Sequence, residues 1–241
     1  MEVLIVYPEK ADVVTGNSCS AGQWREVLLE LGHDVVIDGS CNHHRADLLI
    51  ALNAEKMQPE IAAFSCSNPG SKIVVIMTGT DIYPDLSGLS LESIRMADRL
   101  VALQGKAIHQ VPDEFHDKVR IIVQGVTPSG SGAKGEIKDD TFNAAVVANL
   151  REVKDPFRAA AAVKLMPMDS RILIRHAGFS LDTGTEEHAR RESSENPRYQ
   201  WIGGLSPAAA RKLISESDIL LVTSLNEGAG RVVGEAITDD T

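Results

Sequence analysis

Aromatic residues are scarce in this chain, at 4% of 241 positions, which removes the usual platform for stacking the bases of single-stranded nucleic acid. Basic residues are outnumbered, 24 Lys and Arg against 34 Asp and Glu, for a formal net charge of −10. A polyanionic partner such as nucleic acid is therefore disfavoured. A local phosphate site is not, because a few backbone amides and one or two cations suffice for one. Cysteine is rare: Cys19, Cys41 and Cys66 form no C-x-x-C pair and leave one unpaired in any disulfide scheme. That usage points to the reducing cytoplasm. No apolar run approaches the roughly 20 residues that cross a bilayer. The opening MEVLIVYPEK is too short and lacks the basic flank of a signal peptide. A cytoplasmic protein with no membrane span is expected. Its hydrophobic fraction of 43% is enough for packed cores, so disorder is not the default.

What is present is an alternation of short β-rich runs and helix-length segments. Expected strands are Val3 to Tyr7, Asp34 to Ile37, Asp47 to Leu52, Lys72 to Met77, Arg99 to Leu103 and Val119 to Val123. Between the first two, Trp24, Val27, Leu28 and Leu31 mark one apolar helical face and Gly32 supplies the stop. Such βα repetition implies a parallel sheet covered by helices. The rhythm breaks at TPSGSGAKGEIKDDT, Thr127 to Thr141, which reads as a linker. It then restarts with NAAVVAN, a helix over Pro156 to Leu165, RILIRHAG, a helix over Glu186 to Ser194, RYQWIGG, a helix over Pro207 to Ser215, and DILLV. The expected organisation is an α/β protein of two Rossmann-like domains, 1–126 and 142–241, joined by the linker. The second has about four strands, few for an independent α/β domain.

Ligands of open α/β sheets bind beyond the carboxyl ends of strands, so the segments that follow strands carry the chemistry. After DILLV comes TSLNEGAGRVVGEA, Thr223 to Ala236: an acid, a glycine-rich turn, then a helix with a second acid. Glu227 and Glu235 stand about two helical turns apart. Gly228, Ala229 and Gly230 leave amides open at a helix start, where anionic oxygens bind. Carboxylates for sugar hydroxyls beside amides for phosphate suit a nucleotide-sugar, although a surface turn with two solvated glutamates has the same spacing. After NAAVVAN, Arg151 and Lys154 could meet a diphosphate. After the first strand, Thr15, Gly16 and Asn17 precede a helix; the pattern is not G-x-G-x-x-G, which disfavours a dinucleotide. After KIVVIM, the TGTD loop, Thr78, Gly79, Thr80 and Asp81, reads as substrate-facing, or else Asp81 caps a turn. Asp81 and Asp85 have no histidine or third carboxylate beside them, so no metal is expected. The histidines are dispersed, no His–Asp pair is evident, and His176 alone falls on an expected site rim.

Taken in order, these segments resemble a GT-B glycosyltransferase. TSLNEGAGRVVGEA is similar to the E-x7-E pattern of retaining family-4-like transferases, and ANLREVKDP to their G-R-L-x-x-x-K motif, with Lys154 in the lysine position. TGN with a following Trp, ALNAEK, VVIMTGTDIYPDL, ADRLVALQ, NLREVKDP and RYQWIGGLS resemble the SenB type, the selenosugar synthases of selenoneine biosynthesis. The resemblance spans nearly the whole chain. It implies a UDP-sugar donor, UDP-N-acetylglucosamine, with selenophosphate as acceptor and no metal. UDP would lie on the second domain, with Glu235 at the ribose, Lys154 and Arg151 at the diphosphate, and Glu227 with the turn Gly228, Ala229 and Gly230 facing the donor sugar. Gly16, Thr78, Gly79 and Thr80 would form the acceptor side. Glu227, Asn17 and Asp81 would stand closest to the reaction. The chain departs from the motif at Asn149, where family-4-like enzymes carry arginine, leaving Arg151 to supply that charge. The family also continues beyond the E-x7-E helix, so the second domain reads as incomplete, with extension or homodimerisation left to cover its outer face.

Three functions follow: a transferase forming a C–Se bond, a retaining transferase with a sugar or lipid acceptor, and a noncatalytic nucleotide-binding protein. In the first, amides and cations stabilise the departing UDP while an already anionic nucleophile attacks the anomeric carbon, so no general base is required.

Overall fold

The computed structural model describes residues 1–8, 15–126 and 140–241. All but the last two residues of the linker expected at 127–141 lie outside the described residues. The chain divides into two compact units: Met1–Gln124 with Asn226–Ala229, and Gly125–Leu225 with Gly230–Thr241.

The first unit is built on six parallel strands, β1 (Glu2–Val6), β2 (Asp34–Asp38), β3 (Leu48–Leu52), β4 (Lys72–Met77), β5 (Arg99–Ala102) and β6 (Val119–Ile121), in the order β2-β1-β3-β4-β5-β6. Strand side chains alternate between faces, and the near-continuous apolar runs serve both. Leu4, Val6, Leu49, Ala51, Val75 and Met77 join Ile61 and Phe64 of α2 (Gln58–Ser67) and Ile94 of α3 (Gly88–Met96) in one core. Val3, Ile5, Ile50, Leu52 and Ile76 join Ala21 of α1 (Gly16–Glu30) in the other. On α1, Trp24 and Leu28 pack against this second core as expected. Val27 and Leu31 instead stay 47% and 67% exposed. The small Ser20 and Ala21 let the helix sit close to the sheet and centre its buried face there, while Leu31 lies past the helix end. Gly32 takes φ +80°, the left-handed conformation that closes a helix without a Cβ penalty.

The second unit has a four-stranded parallel sheet of β7 (Phe142–Val147), β8 (Ile172–Ala177), β9 (Tyr199–Trp201) and β10 (Ile219–Leu220), in the order β10-β7-β8-β9. α4 (Arg158–Lys164) covers one face through Ala159, Ala160 and Val163. On the other, Leu213 of α6 (Pro207–Ser215) packs on Ala145 and Ala177. α5 (Thr183–Glu195) packs beside β9, and α7 (Arg231–Thr238) against α6. Both α5 and α6 begin as their sequences direct, with Asp182 accepting from Thr185 N and Ser206 from Ala209 N.

Both sheets run one way from a starting strand and then resume on its other side, β1 to β3 in the first unit and β7 to β10 in the second. The carboxyl ends of these pairs are the topological switch points where open α/β sheets hold ligands. The segments singled out in the sequence leave from these strand ends or the ones beside them.

Candidate functional site

In the first unit, the α1 start follows β1. Gly16 and Asn17 do not precede the helix; they are its first two residues. Thr15 caps it, its hydroxyl oxygen accepting from Ser18 N at 3.2 Å while Ser18 Oγ accepts from Thr15 N at 3.0 Å. At the ends of β3 and β4, Asn53, 1% exposed with φ +84°, donates from Nδ2 to Thr78 Oγ1 at 3.0 Å and Thr80 Oγ1 at 3.3 Å. Asn53 lies in the ALNAEK segment, where the one local signal for it is a polar residue directly after a buried strand.

Asp81 does not face a substrate. Its carboxylate is 1% exposed and accepts from Ala54 N at 2.8 Å, Thr78 N at 2.9 Å and Gly79 N at 2.7 Å. Burial pushes its carboxyl above the ordinary value, opposed by those amides, Ala54 first. Asp81 is thus a brace that shapes the Thr78–Thr80 loop from within. Of that loop, Thr80 is exposed and Thr78 half-buried, and these two hydroxyls are its accessible chemistry.

Asn226–Ala229 groups with this first unit, whereas the whole glycine turn was expected on the second. Gln104 Nε2 donates to Glu227 O at 3.1 Å. Gly228 lies so close to Thr78 that an added Cβ would collide with the Thr78 carbonyl. The glycine is required by a backbone approach that no larger residue permits. Gly230 remains with the second unit and takes φ +59° immediately before α7.

In the second unit, the loops leaving β7, β8 and β9 are laced together. Ala148 N donates to Ala177 O at 2.9 Å, Leu150 N to Phe179 O at 2.9 Å and Gly178 N to Gly203 O at 2.8 Å. A Cβ on Gly178 would collide with Ala148 O. Asn149 spends its side-chain oxygen on Phe179 N at 3.0 Å. It is a brace between loops, so the position where the family pattern carries a cation serves structure here. His176, expected on the rim, is fully buried. Its Nε2 bonds to Ala148 O at 2.9 Å and its Nδ1 to the Tyr199 hydroxyl at 2.8 Å. With a carbonyl as one partner, Nε2 must carry the proton and Nδ1 accept. Burial lowers its pKa to about 4, so it is neutral near pH 7.

Arg151 precedes a short 3-10 turn, Glu152–Lys154, that ends at Asp155 with φ +42°. The segment leaving β10 runs alongside: Thr223 Oγ1 donates to Lys154 O at 2.8 Å and Leu225 N to Val153 O at 2.9 Å. The two motifs far apart in sequence are therefore neighbours at the switch point of the second sheet. Beside them opens a pocket of about 590 Å³, with apolar walls from Leu150, Pro156, Phe157 and Leu181 and polar groups including Arg151 and Asp182. Glu235, on the second turn of α7, is held by Arg231, Nε to Oε1 at 2.9 Å. Just past the end of that helix Asp239 pairs with Arg211 of α6, whose guanidinium is pushed above its ordinary pKa chiefly by that contact and also by the Glu235 charge.

Other histidine and acid groups do meet in the fold. His44 Nε2 lies 2.8 Å from Asp38 Oδ2, a His–Asp pair not evident in the sequence. It joins the end of β2 to the loop toward β3, and the His44 partner holds the Asp38 carboxyl below its usual range. Among the described residues, no three His, Cys, Asp or Glu side chains form a group able to hold a metal ion. Among the described residues no helix is long and apolar enough to cross a membrane.

No family model matches the chain. No curated protein matches its sequence. The fold does match solved structures. Anabaena HepE in complex with UDP and glucose is similar at TM-score 0.72 and 17% identity, covering 99% of this chain and 78% of that one. A glycosyltransferase from Rickettsia africae ESF-5 is similar at TM-score 0.71 and 12% identity, over 100% of this chain and 77% of that one. S. aureus MnaA with UDP is similar at TM-score 0.68 and 12% identity, over 100% and 78%. At such identities the likeness is one of fold: the chain is an α/β protein with parallel sheets that match the GT-B glycosyltransferase fold.

Proposed function

We propose that the chain acts as a glycosyltransferase with a UDP-sugar donor. The observation that carries this reading is the pairing, within the second unit, of the Arg151–Lys154 turn with the strand exit Thr223–Leu225 that leads toward the glycine turn and α7. Cations beside the strand exit that leads to α7 are suited to a diphosphate, and an acid on that helix to ribose hydroxyls. The UDP in the HepE and MnaA structures lends support to this donor class.

In this reading Arg151, Lys154 and the Gly230 amide at the start of α7 receive the diphosphate, and Glu235 accepts from the ribose. As the anomeric bond breaks, its electron pair leaves with UDP, whose added charge these groups stabilise. Glu227 is assigned to the donor sugar. Asn17 and the hydroxyls of Thr78 and Thr80 are assigned to the acceptor side with Gly16 and Gly79, and Asp81 shapes that loop.

The finer proposal is that the donor is UDP-N-acetylglucosamine and the acceptor selenophosphate, giving a selenosugar by C–Se bond formation without a metal, in the cytoplasm. It is supported by the TGTDIY and LREVKDP resemblance. An acceptor screen tests it: the chain is incubated with UDP-N-acetylglucosamine and selenophosphate, or with sugar and lipid acceptors, and products are read by mass spectrometry. A selenium-containing hexosamine with released UDP is expected. Transfer only to a sugar or lipid would replace the acceptor assignment, and UDP binding without any turnover would favour a noncatalytic nucleotide-binding role.

A further inference from the structure

We infer that Arg231 is a positioning residue for the donor site, fixing the Glu235 carboxylate for a ligand diol; this rests on the nucleotide-sugar reading above. Arg231 is the first residue of α7, where the helix dipole disfavours a cation. Its side chain turns along the helix instead, and Nε donates to Glu235 Oε1 at 2.9 Å. Glu235 is only 13% exposed and Arg231 33%, so the pair is partly withdrawn from solvent and held more firmly than a surface ion pair.

The consequence is asymmetric use of the carboxylate. One oxygen is committed to Arg231, and no hydrogen bond within the chain occupies the other among the described residues. A carboxylate clamped at one oxygen presents the second in a fixed direction, suited to hydroxyl donors. Arg231 Nη1 is buried with no hydrogen-bond partner among the described residues. A buried guanidinium N–H left without an acceptor is unfavourable. A ligand oxygen reaching α7 would supply one. Arg231 thus joins the Glu235 acceptor to the left-handed Gly230 turn, and neither charge acts alone.

Binding of UDP and of its 2′-deoxy and 3′-deoxy counterparts, by calorimetry on the full chain, provides the test. The unaltered protein should lose roughly tenfold or more in affinity when the hydroxyl read by Glu235 is removed. Arg231→Gln should bind UDP roughly tenfold more weakly and lose most of that hydroxyl discrimination. Arg231→Lys, which keeps the charge but not the planar fork, should recover it only in part. A merely structural ion pair predicts otherwise: a lower melting temperature in Arg231→Gln with hydroxyl discrimination intact, which would overturn the inference. Failure of the unaltered protein to bind UDP at all would overturn the nucleotide-sugar reading itself, and the Arg231 role with it.

Discussion

Residues whose chemistry looked alike in the sequence divide by burial. Asp81 and Glu235 are both acids near glycine-rich segments, but Asp81 satisfies three backbone amides in the interior. Asp81→Ala should destabilise the chain by about 3 kcal/mol or more, since each buried amide left without an acceptor costs about 1–3 kcal/mol; denaturant unfolding checks this. Glu235→Ala should instead weaken UDP binding by about 1.5–3 kcal/mol, the scale of a charged hydrogen bond, and calorimetry with unchanged affinity would remove Glu235 from the site. His176 gives a pH signature. Its folded pKa of about 4 lies below the ordinary 6.5, so between these values the unfolded chain binds more protons. Its contribution is complete above about pH 6.5 and is lost as pH falls toward about 4, on the order of 3 kcal/mol at most. Melts across that range should show stability rising with pH, and His176→Gln should flatten the slope.

Elements carry the site through their ends. Helix α1 opens with a reciprocal cap between Thr15 and Ser18, and Thr15→Ala should cost about 1 kcal/mol. The loops after β7, β8 and β9 act as one unit because their backbones bond across strand ends. Gly178 sits where only hydrogen fits, against Ala148 O. Gly178→Ala should push apart the loops on which Arg151 depends, lowering both the melting temperature and UDP affinity. A variant with normal UDP affinity would show that the Arg151–Lys154 turn is set independently of this lacing.

For the whole molecule, the proposed donor site makes stability depend on nucleotide. A ligand that binds only the folded state, at a hundred times its Kd, adds about 2.7 kcal/mol. UDP should therefore raise the melting temperature in a concentration-dependent way, and a flat response would argue against a nucleotide site. Transfer activity, once assayed, should survive EDTA. The composition of the donor set motivates this, since Asp81 is committed to amides, His176 to a buried carbonyl and His44 to Asp38. Activity lost to EDTA and restored by magnesium or manganese would replace the cation roles of Arg151 and Lys154.

The strand runs and the helix signals were legible because each rests on local chemistry: KIVVIM forms β4 and Pro207–Ser215 forms α6 with the bounds their sequences suggest. The βα alternation likewise implied parallel sheets, since parallel neighbours need a crossover. Tertiary structure alone decided which polar residues remain available. Asn149 and His176 sit at strand ends where ligands bind, yet neighbouring loops claim their hydrogen bonds. Val27 and Leu31 fit a helical period but fall outside the strip that the sheet covers. His44 finds Asp38 only because a loop folds back on β2. Periodicity fixes which residues share a face of their own element; what that face meets depends on contacts between segments distant in sequence, and no local pattern encodes those.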